Sequence, residues 1–146
     1  VVVGCEGAGK TLLLRHLDLK CKTECSRSKR KQPALKTTTQ PSMGVELLEL
    51  KHRKRQLSMR EVGGAMQPVW SQYYKSCQAI MFVVDISDVE TIGGAVVEWY
   101  NLLCCRDVLS KPILLAFNKG DSDSAMPDSK LQLLFRLSEL QERASG

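Results

Sequence analysis

Residues 4 to 11 read Gly4-Cys5-Glu6-Gly7-Ala8-Gly9-Lys10-Thr11 and meet the spacing G-x-x-x-x-G-K-[ST] at every fixed position. That combination binds phosphate. Glycines at the two ends and middle of the loop let backbone N–H groups turn inward around phosphate oxygens, with Cys5, Glu6 and Ala8 completing the loop. Lys10 supplies charge to the β- and γ-phosphates, and the Thr11 hydroxyl is suited to holding Mg²⁺. A second cluster, Asn118-Lys119-Gly120-Asp121, follows an apolar run far along the chain. A carboxylate at Asp121 can accept hydrogen bonds from both N1–H and the 2-amino group of guanine, and adenine presents no such pair of donors. Either string alone is a common polar or glycine turn. Together, about 108 residues apart, they specify the two ends of a guanine nucleotide.

Both strings need elements to hold them in place. Val1 to Val3 read as the end of a buried strand, and Leu13, Leu14, Leu17 and Cys21 recur at helical spacing, so the glycine loop lies between strand and helix. Residues 22 to 40 lack periodicity and read as loop. Residues 45–50 and 56–62 read as two strands of a hairpin joined by the basic turn Lys51-His52-Arg53-Lys54-Arg55. A helix is expected around Val69 to Cys77, after Pro68. Residues 79–85 and 112–119 are uninterrupted apolar runs, the pattern of strands covered on both faces. Helices are expected from about Val89 to Leu109, although Gly93 and Gly94 weaken the first turns, and over residues 128–144 as one piece. Strands alternating with helices predict an α/β fold with a mostly parallel sheet and helices on both faces, binding its ligand at the strand ends, and the motif at Gly4 to Thr11 marks it as a P-loop NTPase. No internal repeat is present.

Composition narrows the functional classes. At 146 residues, 43% apolar and 25% charged, the chain suits one globular domain. It holds no run of about 18 apolar residues, so no membrane-spanning helix is expected, and no secretory leader is recognisable. Six cysteines at irregular spacing and only two histidines favour reduced thiols in a cytoplasmic protein over a zinc site. The net charge of +5 is local: residues 20–36 carry seven basic side chains and one acidic, so the rest of the chain is slightly negative. Aromatics are only 5% and do not interleave with those cations, which argues against a nucleic-acid face. A solvated insertion over residues 20–38, or contact with an anionic membrane or acidic partner, accounts for the basicity better.

With these motifs placed, the chain resembles the small GTPases of the Arf-like group. The resemblance rests on Pro41-Ser42-Met43-Gly44 for P-T-[IV]-G, Glu61-Val62-Gly63-Gly64 for D-V-G-G, Pro68-Val69-Trp70-Ser71-Gln72-Tyr73-Tyr74 for P-L-W-x-x-Y, and Phe82-Val83-Val84-Asp85. It covers nearly all of the chain except the basic insertion. It implies GTP and GDP as ligands, Mg²⁺ as cofactor, and a two-state switch whose loops are ordered by the γ-phosphate. By position, Ser42 would ligate Mg²⁺ and sense the γ-phosphate through its backbone N–H. Glu61 would reach the metal through water, and Gly64 would offer its N–H to the γ-phosphate. Asn118, Lys119 and Asp121 would hold the base. Val45, Arg60 and Tyr73 fall where the family meets protein effectors, although a helical aromatic stripe such as Trp70, Tyr73 and Tyr74 is more often core. A monomer working through effectors and regulators is expected, with the basic loops available for peripheral membrane contact.

Ala65 stands where the family has the glutamine that orients attacking water, and a methyl group can neither donate nor accept a hydrogen bond. Gln67, two residues on, is the nearest substitute. The expectation is therefore a GTP-binding switch with weak intrinsic hydrolysis. Two alternatives differ in class: an interaction module that never cycles, and a P-loop nucleotide kinase, for which Asn118 to Asp121 would have no use. Relative to the family pattern, the 146 residues are expected to form a single G-domain, with the start of its first strand and a final strand, a loop with an S-A-K-like signature and a closing helix not among them.

Overall fold

The computed structural model describes residues 1–25, 42 and 44–144. Its strands are β1 (Val2–Val3), β2 (Val45–His52), β3 (Arg55–Val62), β4 (Ile80–Asp85) and β5 (Ile113–Asn118). They form one sheet in the order β2-β3-β1-β4-β5, in which only the β2–β3 pair is antiparallel. The helices are α1 (Lys10–Cys25), α2 (Trp70–Tyr74), α3 (Val89–Leu103), α4 (Asp128–Leu134) and α5 (Leu137–Ala144). The expected mostly parallel α/β architecture is what the chain adopts.

Alternation along each strand divides the core in two. On one face Val2, Leu50, Met59 and Val83 pack with Leu14 of α1. On the other, Val3, Phe82 and Val84 pack with Trp70 and Tyr74 of α2, Trp99 of α3, Leu131 of α4 and Phe135. Aromatic rings chain across this second face, Phe82 to Trp99 at 5.7 Å and Trp99 to Phe135 at 6.2 Å. Burying each such side chain contributes roughly 1.5–3 kcal/mol. β4 is flanked by β1 and β5, and its Phe82, Val83 and Val84 are fully buried.

Several elements depart from their sequence reading. The run 112–119 does not make a strand covered on both faces: β5 is at the sheet edge among the described strands, and Leu114 is 56% exposed. Ile113, Leu115 and Phe117 pack against the core from the same strand, and an apolar run cannot reveal what covers each face of the sheet. Helix α1 continues to Cys25, supported by the Lys22–Asp18 pair at 2.6 Å one turn apart, so the basic insertion begins as helix; residues 26–38 lie outside the described residues. The hairpin strands extend further than expected, leaving a two-residue turn at Arg53-Lys54 with Arg53 at φ +53, in keeping with the backbone that tight hairpins demand. The helix expected after Pro68 is a 3-10 turn over Gly64–Val69 followed by the short α2.

Helix α3 stops at Leu103, and the separate 3-10 turn Arg106–Val108 tucks Val108 into the core. The single helix expected over residues 128–144 is two. In a continuous helix Leu137 would lie about 200° around the axis from Phe135, yet Leu137 and Leu140 pack against the same core as the fully buried Phe135. A break at Arg136, with φ +48, turns the chain back.

Candidate functional site

Because β1, β3, β4 and β5 run parallel, their C-terminal ends lie at one pole of the sheet, where ligands of such sheets bind. The chain leaves β1 at Val3 and turns through Gly4 to Gly9, so Lys10 and Thr11 are the first residues of α1. Gly9 has φ +81, and a Cβ there would overlap the side-chain amide of Asn118. Only glycine allows this approach. Asn118, the last residue of β5, donates from Nδ2 to the carbonyl of Ala8 at 2.8 Å. One bond thus joins the phosphate motif to the base motif.

Lys10 is buried, and its Nζ donates to the carbonyls of Gly4 at 2.7 Å and Cys5 at 3.0 Å. Burial lowers its pKa, while the nearby Glu61 carboxylate acts in the opposite direction. Glu61 is the other buried charged side chain among the described residues. Burial raises its pKa, opposed by the Thr11 hydrogen bond and by Lys10. Each group limits the cost of burying the other.

The Thr11 hydroxyl donates to Glu61 Oε1 at 2.6 Å and lies 3.3 Å from the Ser42 hydroxyl. Two hydroxyl oxygens and a carboxylate oxygen, brought together from α1, the segment before β2 and the end of β3, form a hard donor set of the kind Mg²⁺ accepts. The flanking Pro41 and Met43 lie outside the described residues.

The segment after β3 closes over the loop. The Gly63 N–H donates to the carbonyl of Gly44 at 3.0 Å, and Trp70 Nε1 donates to the carbonyl of Gly63 at 3.1 Å. Gly64 lies directly on the phosphate loop: a Cβ on it would overlap the Glu6 amide nitrogen and approach Glu6 Cα to 2.6 Å. Trp70 and Tyr74 are core side chains, as the aromatic spacing suggested. The role of Trp70 as a strut for Gly63 was not legible, because an indole at helical spacing says nothing about where its N–H points. Ala65 and Gln67 are both exposed on the 3-10 turn, and Met66 between them packs against the core.

At the base end, Lys119 adopts φ +62 and its ammonium pairs with Asp85, the last residue of β4. Asp85 also accepts hydrogen bonds from the Ser87 backbone N–H at 2.9 Å and hydroxyl at 2.6 Å. Ser124 ties the two loops by donating to the Ser87 carbonyl at 2.8 Å. Asp121 sits exposed in the turn that follows. Asp85 was not among the residues assigned to the site from sequence; a carboxylate ending an apolar strand at the ligand pole was the signal available. Burial pushes its pKa up, but the bonds from Lys119 and Ser87 outweigh this and hold it below the usual carboxylate value.

A folded pKa below the unfolded one means that Asp85 adds stability above about pH 4 and loses it as pH falls through its lower native value. With Lys119 itself 42% exposed, the pair is worth about 1 kcal/mol at most. Thermal melts of the wild type and Asp85→Asn between pH 3 and 7 should show a gap near neutrality that narrows below about pH 4. A gap independent of pH would mean that the charge of Asp85 is not what stabilises this corner.

The surface expected to meet effectors is also assembled. Val45, Leu47 and Arg60 share one face of the β2–β3 hairpin, and the Arg60 guanidinium stands 5.9 Å from the centre of the Tyr73 ring. Leu47, not singled out from the sequence, is 64% exposed there.

The model of the ADP-ribosylation factor family matches residues 1–145. The chain belongs to the Arf family. This Arf-family chain is 31% identical over 140 residues to ADP-ribosylation factor-like protein 16 of Homo sapiens, covering 96% of this chain and 68% of that protein. It is 27% identical over 146 residues to ADP-ribosylation factor-like protein 1 of Saccharomyces cerevisiae, covering 99% and 72% respectively. Among solved structures, the Arl6 (BBS3) small GTPase of Trypanosoma brucei, with bound nucleotide analogue GppNp, superposes with a TM-score of 0.75 at 21% identity. That match covers 95% of this chain and 77% of that one and places the Arf-family chain in the same fold.

Proposed function

We propose that this chain is a guanine-nucleotide switch that binds protein partners in its GTP state and hydrolyses GTP slowly. The observation that carries the reading is the convergence of four separate segments at one pole: Lys10 and Thr11, Ser42, Glu61 to Gly64, and Asn118. The phosphates would lie along residues 4–11, with Lys10 exchanging its loop carbonyls for phosphate oxygens. Asp121 would accept the two guanine donors, with Asn118 and Lys119 fixing the turn that carries it. Thr11 and Ser42 would ligate Mg²⁺ and Glu61 would hold its water; the bound metal supplies positive charge to the β- and γ-phosphates.

Gly64 and Ser42 would offer backbone N–H groups to the γ-phosphate, so its presence would hold both loops in the arrangement described here. Ala65 offers attacking water no hydrogen bond, which favours slow turnover. The Val45, Leu47, Arg60 and Tyr73 face, adjoining these loops, is where we place protein effectors, for a monomer acting in the cytoplasm. Ala65 also suits a second reading, a module that binds nucleotide or partners without cycling.

Titration with fluorescent GDP, GTP and ATP analogues, with and without Mg²⁺, followed by phosphate-release kinetics, tests these readings. Tight, Mg²⁺-dependent guanine binding with slow phosphate release is expected. Guanine binding with no turnover points to the non-cycling module, equal ATP binding to a nucleotide kinase, and no binding refutes the switch.

A further inference from the structure

Residues 53–59 read Arg53-Lys54-Arg55-Gln56-Leu57-Ser58-Met59, so that Ser58 follows one arginine by three positions and another by five. The switch makes no use of this spacing. Arginine-directed protein kinases select it, because carboxylates in their substrate groove accept the forked N–H groups of both guanidinium side chains. A string this short recurs by chance, so its placement decides whether a kinase can use it. β3 runs parallel to β1, and the β2–β3 turn therefore lies at the far end of the sheet from Gly64 and Lys10. Arg53, Arg55 and Ser58 are all exposed there. β1 meets β3 at Glu61, so among the described strands residues 55–58 have β2 on one side and none on the other. Leu14 of α1 packs on the face that carries Met59, and the end of that helix reaches the turn, where Glu24 Oε2 lies 3.5 Å from His52 Nδ1. Ser58 falls on the opposite face by the alternation of the strand. The segment is thus extended, open along one edge and uncovered at its hydroxyl.

We propose that Ser58 is a phosphorylation site for a protein kinase of this arginine-directed class. Ser58 Oγ attacks the γ-phosphorus of the kinase's ATP, the bond from that phosphorus to the β,γ-bridging oxygen breaks, and ADP leaves. The hydroxyl proton passes to the kinase's catalytic aspartate. Met59, the next residue, is buried, so recognition rests on the two arginines. The product adds about −1.5 to −2 of charge to the hairpin face that holds Leu47 and Arg60. Glu49, paired directly with Ser58, repels it. Arg60, two residues along the same face and about 7 Å away, attracts it. A guanidinium drawn to the phosphate leaves the Tyr73 ring over which it stands, and an ion then borders Leu47. Phosphorylation therefore weakens docking on the surface assigned above to effectors. That consequence rests on the switch reading, and the modification itself does not.

The test is incubation of the full chain with ATP and the catalytic domain of an arginine-directed kinase, the modified residue being located by mass spectrometry of proteolytic peptides. The native protein should gain phosphate at Ser58, and Ser58→Ala should abolish that gain. Arg53→Gln and Arg55→Gln should each lower the kinase's kcat/KM about tenfold, the value of one charge-assisted hydrogen bond. Circular dichroism, unchanged in the variants, would establish that they are folded. In the phosphorylated protein, phosphorus NMR titration should find a lower second phosphate pKa than in the Arg60→Gln variant, because a nearby guanidinium favours the dianion. No phosphate at Ser58, phosphate there only after denaturation, or rates indifferent to both arginines would each overturn the site. Equal phosphate pKa values with and without Arg60 would overturn its coupling to the effector face. Failure of nucleotide binding in the wild type would instead count against the switch and leave the phosphorylation result standing.

Discussion

A Gly64→Ala variant is expected to retain GDP and to lose GTP affinity on the order of a hundredfold, the value of a charge-assisted hydrogen bond or two. The reason is steric. A methyl group at this position would overlap the Glu6 amide nitrogen and come within 2.6 Å of Glu6 Cα, and both atoms are backbone of the phosphate loop, which cannot swing aside as a side chain can. The segment after β3 would have to lift away, taking its N–H out of reach of a γ-phosphate. GDP has no γ-phosphate and would not register the change. Competition binding of GDP and GTP analogues measures the ratio directly. Equal losses for both nucleotides would show that Gly64 serves the loop's structure, and no loss would show that Gly64 does not take part in the switch.

Ala65→Gln should have the second large effect, an increase in phosphate release on the order of a hundredfold, as positioned groups assisting proton transfer and water attack commonly give. Ala65 is exposed at the start of the 3-10 turn, one residue beyond Gly64, so a longer side chain can be added there without displacing core. A side-chain amide from that turn can swing over the loop and restore the missing hydrogen bond to water. Gln67 lies two residues further along the same turn and is exposed as Ala65 is. Single-turnover phosphate release with GTP in Mg²⁺ is the measurement. An unchanged rate in a variant that binds GTP normally would mean that attacking water is not organised from this turn.

Much of the fold could be read from residue patterns. The glycine loop between strand and helix, the β2–β3 hairpin, the buried β4 and the alternation of strands with helices all follow from local spacing, because backbone hydrogen bonding imposes periods of two and 3.6 on whatever must be buried. Boundaries fared worse where a distant contact decides them. Nothing local stops the helical pattern at Leu134; the break comes from the need to bury Phe135 and Leu137 against one core. The exposure of Leu114 in β5 likewise depends on what packs over its face of the sheet, which lies outside the strand's own residues.

For the site, the sequence alone determined which chemical groups were available and the class of ligand they would suit: the glycine loop from Gly4 to Thr11 for phosphate, the polar cluster from Asn118 to Asp121 for a base, and at Ala65 a methyl group with no hydrogen bond to offer. Those depend on residue type and spacing within a few positions. Only the tertiary structure decided that Asn118 bonds Ala8, that Thr11, Ser42 and Glu61 share one oxygen cluster, that Asp85 holds Lys119, and that the basic turn and the end of α1 meet at the opposite pole. Each of these contacts joins residues 28 or more positions apart. Such distances are closed by packing two apolar faces onto one sheet, a cooperative outcome of the whole chain that no short stretch of it encodes.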